Sequence, residues 1–177
     1  MSSVSKPKQG SLYRFDPDGS VHHMLDGLGT SNGLGWSPDG KTFYLTDSPA
    51  GEIYAFDFDS SAGTISRQRV FASIPADAGR PDGLTVDTEG GVWSAHWDGW
   101  RITRYLPSGD IDRVVKMPVP KPTSVMFGGP KLDTLFVTSA RKTLDPSVLA
   151  SAPLSGSLFT VTTDKTGFPE PIFTRNG

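Results

Sequence analysis

Two short motifs in the chain place an oxygen-donor side chain directly before a glycine and a leucine. They are Asn32-Gly33-Leu34 and Asp82-Gly83-Leu84. An amide oxygen and a carboxylate are ligands that hard divalent cations prefer, so calcium and magnesium both suit the pair, and manganese or zinc suits it if the site is open. If both side chains point to a common axis, they predict part of a site for one divalent metal ion.

The two motifs recur at the same phase of an internal repeat. A third copy, Pro122-Thr123-Ser124, has hydroxyl groups where the others have an amide or a carboxylate. Each copy opens a predicted strand, and a second predicted strand follows it after a Gly-containing turn such as Ser37-Pro38-Asp39-Gly40. Glycine in these turns supplies the positive φ that hairpins need.

A later part of the repeat shows the alternation of apolar and polar residues that is typical of a half-buried strand. The copies are residues 10–16, 51–57, 99–105 and 156–162. Each is followed by a turn and a returning strand, the last of which is predicted at residues 171–174. Helical periodicity is weak, and only residues 145–152 are expected to form one short helical turn.

Repeated units of four antiparallel strands are typical of β-propeller blades. Three full units begin near Asn32, Asp82 and Thr123, and the last two strands of another unit precede them. The sequence therefore predicts an all-β, incomplete β-propeller of about three and a half blades. It spans residues 10–177, after a flexible leader at residues 1–9.

The composition of the chain excludes several classes of binding partner and several kinds of catalytic chemistry. The net charge is −2 and the chain has no basic stripe, so we expect no nucleic-acid partner. No apolar run approaches the roughly 20 residues that span a bilayer, and the first residues lack the apolar core of a signal peptide. We therefore expect no membrane partner and a cytoplasmic location. Cysteine is absent, which excludes disulfides, thiolate catalysis and Cys-ligated zinc.

Seven ordered segments resemble the SMP-30/gluconolactonase/regucalcin-like (LRE) family, in the C-terminal part of its domain. They are residues 31–37, 44–48, 80–87, 90–95, 121–129, 135–141 and 156–159. The resemblance implies a six-bladed β-propeller that holds one divalent cation in its central channel and hydrolyses sugar lactones or related esters. By position in the motifs, Asn32 and Asp82 would be metal ligands, and Asp82 would also be the catalytic proton donor and acceptor.

The same resemblance implies a metal-binding Glu and substrate-binding Arg and Asn residues from an N-terminal half that this sequence lacks. Two interpretations follow. In the first, the chain is a metal-dependent lactonase acting on a small-molecule lactone, impaired by the missing half. In the second, it is a non-catalytic propeller segment, either a degenerate homologue or a binding scaffold. Because an open ring leaves sheet edges uncovered, we expect either a homo-oligomer or pairing with a separate N-terminal half.

Several other residues favour structural roles. Asp47 follows a strand and is expected to cap a turn or orient a channel residue. His96 is expected to be hydrogen-bonded within the blade rather than to reach the channel. Trp93, Trp97 and Trp100 are expected to pack within blades, although Trp97 near the mouth also suits a sugar-binding platform. Thr123 and Ser124 lie at the phase of the predicted ligands, where their hydroxyls can line the channel.

Overall fold

Four antiparallel sheets follow one another along the chain in the computed structural model, which describes residues 10–174. The first sheet holds β1 (Gly10–Phe15) and β2 (Val21–Leu28), and the second holds β3 (Ser31–Trp36), β4 (Thr42–Asp47), β5 (Glu52–Asp59) and β6 (Thr64–Ser73). The third holds β7 (Arg80–Val86), β8 (Val92–Trp97), β9 (Arg101–Tyr105) and β10 (Ile111–Lys116). The fourth holds β11 (Pro122–Gly128), β12 (Thr134–Ser139) and β13 (Phe159–Thr162).

The architecture confirms an all-β, incomplete propeller. Two sheets are complete four-stranded blades, the fourth sheet has three strands, and the first has only two. Short 3₁₀-helices lie at Ser48–Ala50 and Ala76–Ala78, and the predicted helical turn is α1 (Pro146–Ser151). Within residues 10–174, no helix is long and apolar enough to cross a membrane. The predicted leader at residues 1–9 and the last three residues of the chain lie outside the described residues.

The core lies between successive sheets, because each blade is apolar on both of its faces. One buried cluster joins the first two sheets, a second joins the second and third, and a third joins the third and fourth. Typical members are Phe43 and Leu45 in the first cluster, Ile53 and Val92 in the second, and Trp93 in the third. Face-to-face packing of this kind sets the angle between neighbouring blades and so positions their inner strands.

The predicted last strand is wrong. Residues 171–174 form no strand, so the fourth sheet ends at β13 (Phe159–Thr162). Pro169 and Pro171 have no backbone N–H to donate to a ladder, which disfavours a paired strand here. The segment instead runs back across the molecule, and the ring of Phe173 lies 5.8 Å from that of Phe15 in the first sheet.

The registers of three hairpins place the starts of the inner strands at one end of the sheets. Arg80 pairs with Trp97 at the start of β7, and Pro122 pairs with Ser139 at the start of β11. Ser31 at the start of β3 pairs with Asp47. We call this end of the sheets the site end, because the predicted metal ligands lie one or two residues after the starts of β3 and β7. The loops after β4, β8 and β12 also lie there.

The opposite end of the third sheet is held by a buried ion pair. Asp87, the residue after β7, is fully buried, and its carboxylate accepts hydrogen bonds from Arg104 Nε at 2.7 Å and Trp93 Nε1 at 2.8 Å. The backbone N–H of Gly91 donates to the same carboxylate at 2.8 Å. Breaking a buried ion pair is strongly destabilising, so these contacts hold the end of β7 in place. They therefore also help to fix the position of the start of β7, at the site end.

Candidate metal centre

Glycine allows the inner strands of neighbouring blades to approach at the site end. A Cβ atom at Gly33 would lie 2.6 Å from the carbonyl oxygen of Asp82 and would also contact the backbone nitrogen of Leu84. In the same way, a Cβ atom at Gly83 would lie 2.6 Å from the Cβ atom of Ser124. Such distances exclude a side chain at either position. The glycine of each motif is therefore required by the contact between β3, β7 and β11.

This contact brings the two predicted ligands together. The Asn32 side-chain amide lies close enough to the Asp82 carboxylate to lower the pKa of that group, and the Asn32 Nδ2 donates a hydrogen bond to Ser48 Oγ at 3.2 Å. Both residues are half-buried. The convergence expected from the repeat is thus present in the fold, while the metal-binding and catalytic roles of the two residues stay predictions.

Asp82 lies in an environment that favours its protonated form. Burial raises the pKa of the Asp82 carboxyl above its usual value, and this effect outweighs the hydrogen bonds from Asn32 and from the backbone of Gly83, which lower it. A cation placed beside this carboxylate would reverse the balance by favouring the charged form. The group is therefore suited both to bind a cation and to exchange a proton.

The described residues offer an incomplete ligand set for a metal. Within residues 10–174, no group of three or more His, Asp or Glu side chains is close enough to hold an ion. Asn32 and Asp82 have the oxygen chemistry that a hard cation takes, but calcium takes about six to eight oxygen ligands. The pair fits as two of those ligands, and the others would be water, hydroxyl or backbone carbonyl oxygens, or groups from outside the described residues.

The two hydroxyl residues of the third motif have different surroundings. The Thr123 hydroxyl lies 2.7 Å from that of Thr138 in the neighbouring strand, so it is engaged within the fourth sheet. Ser124 lies against Gly83, next to Asp82 along the chain. Ser124 therefore lies in the contact between β7 and β11.

His96 and Asp47 have structural partners. His96 is buried, and its Nδ1 lies 2.9 Å from the carbonyl oxygen of Ala78. Burial lowers the pKa of His96 to about 4, so the ring is neutral near pH 7. The buried Asp47 carboxylate accepts hydrogen bonds from the backbone N–H groups of Gly29 and Thr30, at 3.1 Å each. It thus orders the loop that leads into β3.

Sequence reasoning missed a buried lysine at the site end. Lys121 directly precedes β11, and its side chain is only 5% exposed. The ammonium lies 4.3 Å from the ring centroid of Trp97, so one face of this tryptophan is covered. A lysine between Pro120 and Pro122, in an otherwise apolar segment, was the signal that could have revealed it.

Comparison with known proteins agrees with this architecture. The sequence profile described as the SMP-30/Gluconolactonase/LRE-like region matches residues 1–141. Regucalcin from Oryctolagus cuniculus is 42% identical over 161 residues, which are 90% of this chain and 54% of the relative. A pentonolactonase from Haloferax volcanii is 38% identical over 165 residues, which are 91% of this chain and 57% of the relative.

A solved structure shows the same fold. The calcium-binding protein regucalcin from Agrobacterium tumefaciens superposes with a TM-score of 0.89 at 28% identity, over 99% of this chain and 59% of that one. The chain thus spans a little more than half the length of the relatives it matches. With the profile match, the sequence identities and the shared fold taken together, the chain belongs to the SMP-30/gluconolactonase/LRE-like family.

Proposed function

We propose that this chain forms part of a divalent-metal-dependent hydrolase of sugar lactones or related esters. The observation that carries the proposal is the meeting of the Asn32 amide and the Asp82 carboxylate at the site end. The similarity to a pentonolactonase and to regucalcins supports the reaction class and a divalent ion. Calcium, magnesium, manganese and zinc are the candidate ions, and the reaction is assigned to the cytoplasm.

The residues divide the chemistry between them. A divalent ion at this site would act as a Lewis acid toward the lactone carbonyl and make a nearby water more acidic. Asp82 takes a proton from the attacking water and returns it to the ring oxygen as the ester C–O bond breaks, which yields the hydroxy acid. Asn32 lies beside the Asp82 carboxylate and helps to orient it, and the burial that raises the pKa of Asp82 makes the carboxylate a stronger base toward the attacking water.

Lactone hydrolysis with added metal tests this function. The purified chain is incubated with glucono-δ-lactone and each of the four ions, and acid release is compared with that of Asp82→Asn and of the control Asp59→Asn. We expect activity in the wild type and in the control, and at least about a hundredfold loss in Asp82→Asn, as for removal of a proton-transfer group. Equal rates in the wild type and Asp82→Asn would overturn the proposal.

The second candidate function is a non-catalytic propeller segment. It is favoured by one observation, that residues 10–174 bring only two of the expected oxygen ligands together. Titration with Mn²⁺, followed by the loss of its free paramagnetic signal, distinguishes the candidates. Binding that Asn32→Ala and Asp82→Asn both abolish supports the hydrolase, whereas no binding and no turnover support the scaffold.

We also propose that a second copy of the chain covers its open surfaces. Within residues 10–174, one edge of β1 has no paired strand, and the β1 side chains Tyr13 and Phe15 are 60% and 50% exposed. Uncovered strand edges with large apolar side chains promote association. We expect sedimentation velocity to show dimers or larger species, and Tyr13→Lys to shift them toward monomer more than the control Val114→Lys on β10. A wild type that stays monomeric would point to a separate N-terminal polypeptide instead.

A further inference from the structure

The ammonium of Lys121 is enclosed by polar groups from two loops at the site end. Its Nζ donates hydrogen bonds to Thr143 Oγ1 at 2.7 Å and to the carbonyl oxygen of Lys142 at 3.2 Å. A carboxylate oxygen of Asp98 lies 3.5 Å away as an ion pair. A buried charge with this many partners holds those partners in place, because moving any of them would leave the charge poorly compensated.

The same ammonium contacts β8, the strand that pairs with the Asp82-bearing strand β7. Trp97, whose ring centroid lies 4.3 Å from Nζ, is the last residue of β8 and pairs with Arg80 in β7. Arg80 is two residues before Asp82 along that strand. Lys121 therefore fixes the orientation of the aromatic side chain that flanks the start of the ligand-bearing strand.

Backbone hydrogen bonds join the three loops around this lysine. The N–H of Trp100 donates to the carbonyl oxygen of Pro120 at 3.2 Å, and the N–H of Ala140 donates to that of Lys121 at 2.9 Å. The loops after β8 and β12 are thus both attached to the segment that leads into β11. Together they form one rim at the site end.

Unfavourable backbone conformations are concentrated in this rim. Thr143, Asp98 and Trp100 have φ values of +59°, +61° and +55°. A β-branched residue such as threonine rarely adopts positive φ. Conformations of this kind persist where surrounding contacts hold them, and they occur often at functional sites. Two of the three residues contact the Lys121 ammonium directly.

We propose that Lys121 is a positioning residue that orders the rim around the candidate metal centre. Its ammonium keeps residues 140–145 closed onto the segment before β11 and keeps Trp97 beside the strand that carries Asp82. Lys121 makes no contact with the reacting atoms and acts through these neighbours. This role deepens the proposed hydrolase function and rests on it for its catalytic consequence, but the ordering of the rim is measurable without activity.

Limited proteolysis with trypsin tests the ordering. In Lys121→Met, cleavage after Arg141 and Lys142 should become about tenfold faster, because the loop loses two hydrogen bonds to a charged group. Cleavage after Lys131, in an exposed turn at the other end of the fourth sheet, should keep its rate. Lys116→Met, an exposed lysine on β10, is the matched control and should leave all three sites unchanged.

Two further variants separate positioning from general stability. Lys121→Arg keeps the charge and should restore most of the protection, and Thr143→Val removes one hydroxyl and should give a smaller, local increase in cleavage. If Lys121→Met accelerates cleavage after Lys131 as much as cleavage after Arg141, then Lys121 contributes to overall stability and the proposal is wrong. If Lys121→Met fails to fold, the local effect of Thr143→Val decides the matter.

Steady-state kinetics test whether the loss of Lys121 affects lactone hydrolysis. In a preparation that hydrolyses glucono-δ-lactone, Lys121→Met should raise KM several-fold while kcat stays within about twofold, because a disordered rim should affect how the substrate is held more than it affects proton transfer at Asp82. An unchanged KM in such a preparation would contradict the proposal. If neither the wild type nor Asp82→Asn shows any turnover, the hydrolase function fails, while the trypsin comparison still decides whether Lys121 orders the rim.

Discussion

Two aspartates at opposite ends of one strand have contrasting surroundings. Asp87, after the end of β7, is fully buried against the Arg104 guanidinium, the Trp93 indole and backbone N–H groups. Asp82, near the start of the same strand, is half-buried, and the neighbouring groups that lower its pKa are the neutral amide of Asn32 and the backbone of Gly83. Among the residues that the structure describes, Asp87 has a cationic side chain as its partner, whereas the groups beside Asp82 are neutral.

This difference separates a structural carboxylate from one that is available for chemistry. The charge of Asp87 is compensated within the blade, so it has no need of an external cation. The charge of Asp82 is disfavoured by burial and is compensated by neutral donors only in part, which makes a metal ion or a proton a favourable partner. Substitutions at the two ends of β7 test that distinction.

Replacing each aspartate by asparagine should change the free energy of unfolding by very different amounts. Asp87→Asn leaves the buried Arg104 without its closest anionic partner and should lower the free energy of unfolding by about 3 kcal/mol. Asp82→Asn should change it by less than about 1 kcal/mol, because no buried cation loses its partner. Urea unfolding of both variants measures the difference. Equal losses would show that the two carboxylates are not distinct in this sense.

Two glycines offer a second test of the comparison. Gly33→Ala places a methyl group against the backbone of Leu84 and Asp82, and Gly91→Ala places one 2.5 Å from Arg104 Nε. Each should cost about 1–3 kcal/mol in unfolding free energy, the usual range for overpacking. Only Gly33→Ala should also weaken Mn²⁺ binding, since it alone separates Asn32 from Asp82. Weaker binding in Gly91→Ala would mean that the two ends of β7 are coupled.

The pH dependence of stability gives the smallest effect. Because the folded-state pKa of Asp82 lies above the unfolded value, its contribution to stability is present below the unfolded pKa and is lost as pH rises through the folded pKa. Without metal, Asp82→Asn should therefore lose less stability than the wild type between about pH 3 and about pH 7.

Asp59→Asn is the control for this pH measurement. The Ser61 hydroxyl and backbone N–H groups lower the pKa of Asp59, so the sign is reversed. The wild-type carboxyl contributes stability above the unfolded pKa, and that contribution is lost as pH falls. Removing it should shift the pH dependence in the direction opposite to Asp82→Asn. Shifts of the same sign in both variants would contradict the assigned surroundings of Asp82.

Much of the fold followed from local patterns in the sequence. Alternation of apolar and polar residues predicted the strands, and the shared phase of Asn32 and Asp82 predicted that they converge. The predicted strand at residues 171–174 failed, because Pro169 and Pro171 remove the donors that pairing needs. The alternation of apolar and polar side chains carries no information about missing backbone N–H donors.

The rest depended on contacts between residues far apart in the chain. Asp87 and Arg104 are 17 residues apart, and Lys121 and Thr143 are 22 apart. No local pattern links such pairs, because the tertiary fold alone sets their distance. The same holds for the glycine contacts between β3, β7 and β11. In the sequence, Asn32-Gly33 and Asp82-Gly83 look like ordinary turn dipeptides, and only the tertiary fold shows that each glycine contacts the neighbouring blade.

The contact of Gly33 with the main chain of β7 has a practical consequence for protein engineering. Because backbone atoms rather than packed side chains set the spacing between positions 32 and 82, the donor groups there can be exchanged without redesigning the hydrophobic interior. Asn32→Asp, for example, would add a negative charge at an unchanged separation. The scaffold thus offers a way to tune ion preference through ligand charge alone.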